Sequence, residues 1–67
     1  MFSVTVNGTS HRFDQPVTLS ELLQTMSLSG KRIAVERNGT IIPRSHFESI
    51  FLDNGDILEI VGAVGGG

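Results

Sequence analysis

Apolar and polar positions alternate from the start of the chain. Phe2, Val4 and Val6 are separated by Ser3 and Thr5, the two-residue period of a strand with one buried face. Asn7-Gly8 comes next, the strongest dipeptide signal for a two-residue hairpin loop, so a second strand is expected from about Thr9 to Phe13. With such a loop Val4 faces His11 and Phe2 faces Phe13, which sets both phenylalanines on the core side. The period then changes. Thr18-Leu19-Ser20-Glu21 is a capping box, in which the Thr18 hydroxyl accepts from the N3 amide while Glu21 reaches back to the cap. Leu19, Leu22, Leu23 and Met26 recur at i, i+3, i+4 and i+7 as the apolar stripe of a helix, and Gly30 reads as its stop.

Beyond the helix, Ile33 and Val35 predict a strand that ends at a second Asn-Gly pair, Asn38-Gly39. Ile41 and Ile42 begin a short return strand, which Pro43 closes because proline cannot donate to a ladder; its place is a sheet edge. Ser45-His46-Phe47-Glu48 carries the pattern of another capping box over a segment long enough for only one helical turn, with Phe47 turned to the core. Ile50 to Leu52 leads into the turn cluster Asp53-Asn54-Gly55-Asp56, and Ile57 to Val61 forms the last strand. The polar Glu59 sets its parity: Leu58 and Ile60 inward, Ile57, Glu59 and Val61 outward.

This order of hairpin, helix, hairpin-like pair, helical turn and final strand predicts an α+β domain, with one main helix covering one face of a mixed four- to five-stranded sheet. It is the ubiquitin-like β-grasp arrangement. A last strand lying beside the first and parallel to it would release the glycine-rich end of the chain from an edge or end of the sheet. Residues 1–61 are thus expected to form the β-grasp domain and residues 62–67 a flexible Gly-rich tail.

Composition narrows the chemistry. The chain has 67 residues, near the lower limit for a domain that folds without staples, so an internal active-site cavity is not expected. It has no cysteine, hence no thiolate nucleophile, disulfide or Cys-type zinc site. His11 and His46 are far apart in sequence and lack a companion nucleophile or ligand set, so neither a catalytic residue nor a metal site is expected. No apolar run reaches membrane-spanning length and the first residues lack the features of a signal peptide, which predicts a cytoplasmic protein without a membrane partner. A net charge of −2 argues against nucleic acid as a partner. The acidic balance is local: Glu36, Glu48, Asp53, Asp56 and Glu59 stand against Arg37 and Arg44 in the second half, so a basic partner surface would steer toward it.

What remains is the end of the sequence, Val64-Gly65-Gly66-Gly67. Three successive residues without a Cβ make a slim segment that enters a narrow pocket closed to side chains. Val35-Glu36-Arg37-Asn38-Gly39, Ile42-Pro43-Arg44, Asp53-Asn54-Gly55-Asp56 with Leu58-Glu59-Ile60-Val61, and the terminal glycines together resemble ThiS, the sulfur carrier family of thiamine biosynthesis, over essentially the whole chain. The resemblance implies that the carboxylate of Gly67 is adenylated by an E1-like adenylyltransferase of the ThiF type, which uses the ATP, and that the carrier itself binds no cofactor. It also implies conversion to a thiocarboxylate, with sulfur from a cysteine desulfurase or sulfurtransferase, and delivery to a thiazole synthase of the ThiG type. Gly65 and Gly66 then serve entry into the partner's active site. Val61, Glu59, Ala34 and Glu36 are candidates for a docking face on the sheet surface opposite the helix. The small subunit of molybdopterin synthase, or another β-grasp carrier or modifier, is the alternative, although this sequence has no proline after Pro43.

Overall fold

A computed structural model describes residues 1–62. Strands β1 (Phe2–Val6), β2 (Thr9–Phe13), β3 (Ile33–Arg37), β4 (Thr40–Ile42) and β5 (Ile57–Gly62) form one sheet in the order β2-β1-β5-β3-β4, with helix α1 (Leu19–Thr25) between the two hairpins in sequence. β1 and β2 pair antiparallel with Phe2 opposite Phe13 and Val4 opposite His11, the register that a two-residue loop requires. The two phenylalanine rings stack tilted, their centroids 5.5 Å apart. β5 runs parallel to β1 and antiparallel to β3, which puts the last strand at the centre of the sheet and β4 at an edge, as the β-grasp arrangement demands.

The core lies between the helix and one sheet face. Leu19, Leu22 and Leu23 are buried together with Val4, Val6, Val35, Leu58 and Ile60, and Ile42, Phe47 and Leu52 close its margin. The amide groups at the start of α1 are all accounted for: Leu19 N–H donates to Ile50 O, Ser20 N–H to Phe47 O, Glu21 N–H to Thr18 Oγ1 and Leu22 N–H to Thr18 O. Glu21 in turn accepts from the Thr18 amide at 2.8 Å, completing the capping box. The loop ahead of β5 thus does half of the capping and ties itself to the helix.

Two local expectations are corrected. The helix stops before Gly30: Met26 is its C-cap, and Ser27 adopts a left-handed φ of 61°. Leu28 N–H then donates to Leu23 O and Ser27 N–H to Gln24 O, the paired bonds of a Schellman motif. The chain reverses there because Leu28 turns back onto the core. In the second half, the short helix is a 3₁₀ turn over Arg44–His46 with Pro43 as its N-cap and no side-chain cap, so Ser45 lies inside the turn and its capping box does not form. Phe47 is nonetheless buried, as its position predicts.

Candidate functional site

β5 leads toward the glycines, and the bonds that hold it determine how they are presented. Asn7-Gly8 and Asn38-Gly39 are both turns with two successive positive φ angles, 50° and 85° in the first and 52° and 89° in the second, the geometry for which Asn-Gly is selected. Each asparagine also reaches β5. Asn7 extends the parallel rungs in which Thr5 N–H donates to Asp56 O and its own N–H donates to Leu58 O. Its side-chain amide then supplies the next rung, accepting from Ile60 N–H at 2.8 Å and donating to Ile60 O at 3.1 Å. The ladder to β5 therefore continues after the backbone of β1 has turned away.

On the other side, Asn38 Oδ1 accepts from Ile57 N–H at 2.9 Å and Nδ2 donates to Asp56 at 3.1 Å. Asp56, 5% exposed, is the one buried charged residue among those described. Its carboxylate also accepts from Arg37 Nε at 2.9 Å and from the Asp53 amide at 2.8 Å, while Arg37 Nη2 bonds Asp53 at 3.0 Å. This network fixes the turn from which β5 starts. Both asparagines and Asp56 are legible in the sequence as turn formers; the bonds they make across the sheet depend on the strand order.

The sheet face away from α1 is open. Register places Ala34 opposite Val61 and Glu36 opposite Glu59, so the structure brings together the four residues expected to form a docking face. Around them Ile41, Ile57 and Val61 are 65%, 58% and 61% exposed. The sequence pattern marks Ile41 only as the start of a return strand, yet its pairing with Glu36 puts it on this face. A depression of about 470 Å³ lies here, lined by Glu36, Asn38, Gly39, Ile57 and Glu59.

Gly62 pairs with Ile33, so the chain leaves β5 at the end of the sheet where β3 begins, directly after Lys31 and Arg32. The end of β5 therefore lies beside the segment that carries the cations Lys31 and Arg32. Gly65, Gly66 and Gly67 lie outside the described residues. Among the described residues no helix is long and apolar enough to cross a membrane.

Comparison with known proteins supplies the remaining constraint. The family model of the ThiS family matches residues 4–67. A thiazole synthase of Paramagnetospirillum magneticum is 37% identical over 62 residues, which cover 92% of this chain and 19% of that protein. The chain thus spans about a fifth of that relative. The sulfur carrier protein ThiS of Bacillus subtilis is 40% identical over 50 residues, 75% of this chain and 76% of that one. In three dimensions the chain superposes on the crystal structure of the thiamine biosynthesis protein ThiS from Geobacter metallireducens with a TM-score of 0.81 at 29% identity, covering 98% of this chain and all of the other.

Proposed function

This chain belongs to the ThiS family, and from that membership we propose that it is a sulfur carrier for thiazole formation in thiamine biosynthesis. The observation that carries the reading is the extent of the family match, which runs to residue 67 and so takes in the three glycines together with the fold. In this reading the fold is a handle and Gly67 is the reacting group. Its carboxylate, ionised at neutral pH as an ordinary α-carboxyl group, is a poor electrophile because oxide is a bad leaving group. Attack of a carboxylate oxygen on the α-phosphate of ATP expels pyrophosphate and leaves an acyl adenylate, from which AMP departs readily. A persulfide on a cysteine desulfurase or sulfurtransferase then displaces AMP to give an acyl disulfide. A thiol cleaves its S–S bond reductively, leaving a disulfide on the thiol side and a thiocarboxylate, a soft nucleophile that thiazole synthase consumes.

The ATP is bound by a ThiF-type adenylyltransferase, for this chain has neither a phosphate-binding glycine loop nor a cysteine of its own. Gly65 and Gly66 give the segment its narrow profile, and Val61, Glu59, Ala34 and Glu36 dock the domain. The reaction takes place in the cytoplasm. The similarity to a segment of a chain named thiazole synthase supports a thiazole synthase of the ThiG type as the recipient, since one polypeptide there contains a sequence of this kind.

Intact mass tests the reading. Incubation with ATP, the adenylyltransferase and a sulfur donor is expected to replace one oxygen of the chain by sulfur, and an unchanged mass refutes the carrier role. Gly66→Val is expected to abolish ATP–pyrophosphate exchange while leaving the thermal unfolding midpoint in place. Deleting Gly67 is expected to abolish sulfur loading, because the carboxylate then falls about 3.5 Å short.

A further inference from the structure

Backbone pairs β5 on both sides only over its first residues. On the β3 side the register runs on to Gly62, whereas the β1 register stops at Val6 opposite Leu58. Beyond that point, among the described residues, it is the Asn7 side chain that holds β5 on its β1 side, through Ile60 N–H at 2.8 Å and Ile60 O at 3.1 Å. The turn itself does not ask for this. A left-handed first turn position is filled by asparagine, aspartate or glycine alike. Of the three, only a carboxamide both donates and accepts as a peptide unit does. Its partner stands 53 residues away in the chain, in part-buried surroundings where water competes poorly for the bonds.

Resting on the carrier reading, we propose that Asn7 is a positioning residue for adenylation. By clamping Ile60 it fixes where the chain leaves the sheet, and with it the point from which the Gly67 carboxylate is delivered to the adenylyltransferase. Residues 63–67 follow Gly62 and span roughly 17 Å at full extension. Each residue that peels from β5 lengthens this tether and spreads the carboxylate over a larger volume, which lowers its effective concentration at the α-phosphate. Loss of the clamp leaves Glu59 to Gly62 paired with β3 alone. Glu59 and Val61 keep their partners Glu36 and Ala34 on that strand, so the docking face stays formed while the exit loosens. The effect of Asn7 therefore falls on the turnover of docked carrier and not on docking.

The test compares Asn7→Gly, which keeps the turn and removes the side chain, with Asn7→Asp, which keeps the acceptor for Ile60 N–H but sets a second oxygen against Ile60 O. Thr18→Ala, which breaks the cap of α1, is the control for a comparable loss of stability. ATP–pyrophosphate exchange by the purified adenylyltransferase is measured against carrier concentration, at a temperature where circular dichroism shows every chain folded. Asn7→Gly is expected to lower kcat by about tenfold while KM for the carrier stays within about twofold. Asn7→Asp is expected to lower kcat by less, and Thr18→Ala to match the parent. In NMR hydrogen exchange on the free chain, the Ile60 amide of Asn7→Gly is expected to lose its protection while the Ile57 amide, bonded to Asn38, keeps it. A parent-like kcat in Asn7→Gly, an equal fall in Thr18→Ala, or an Ile60 amide still protected in Asn7→Gly overturns the proposal. Exchange supported by the parent chain reports separately on the carrier role, and the Ile60 amide is read without the enzyme, so failure of one inference is not mistaken for failure of the other.

Discussion

Asp56 carries the largest single electrostatic responsibility in this domain, since it is buried and joined to Arg37, Asn38 and the Asp53 amide. Truncating one member of such a cluster leaves the others desolvated without partners. Asp56→Ala is therefore expected to lower the unfolding free energy by about 3 kcal/mol, measured by urea titration. Asn7 lies nearer the surface and contributes two hydrogen bonds and a tolerated left-handed φ; Asn7→Ala should cost about 1–2 kcal/mol by the same measurement. The turns that contain these residues are readable from their dipeptides, because turn chemistry is local. Their reach to β5 is not, since it depends on which strand the topology sets beside each turn. The same holds for Glu36 and Glu59: parity puts each on the outer face, but only the register shows that they confront one another.

At the level of elements, the first helix shows where local rules suffice and where they mislead. The Thr18 and Glu21 box forms as the sequence predicts, because both partners lie within one turn and nothing distant competes. Gly30 is the expected stop on conformational grounds, yet the left-handed residue that ends the helix is Ser27. Burial of Leu28 outweighs the steric cost of placing a serine there. That cost is recoverable: Ser27→Gly should raise stability by roughly 1 kcal/mol, seen as a higher unfolding midpoint. A result at or below the parent value would mean that the Ser27 side chain offsets the strain. The 3₁₀ turn shows the opposite case. Pro43, fixed in φ, starts the turn one residue before Arg44 and two before Ser45, so a motif sound in sequence is displaced by its neighbour.

For the whole molecule, the decisive fact is how little core there is to lose. A domain of this length has a total stability of roughly 3–10 kcal/mol. Leu22 and Leu58 are both fully buried, one on the helix and one on the central strand. Replacing either by alanine costs about 2–5 kcal/mol, so each variant should be partly unfolded at about 37 °C by circular dichroism. The alternation and the leucine stripe make this core and the α+β architecture legible almost entirely, because a chain this short has few other ways to bury those faces. The functional surface is legible only in outline, for open faces leave no periodic signature of the partner that meets them.

The parallel neighbours β1 and β5 join the two ends of the described chain, with the start of β1 and the finish of β5 at opposite ends of the sheet. A pull on the far end of β5 against a held amino terminus therefore slides the two strands past each other, straining every bond between them at once, with the Asn7 amide as an added rivet. Strands separated in that direction resist far more than strands peeled apart rung by rung. A load applied between those two ends is thus shared by all the bonds between β1 and β5.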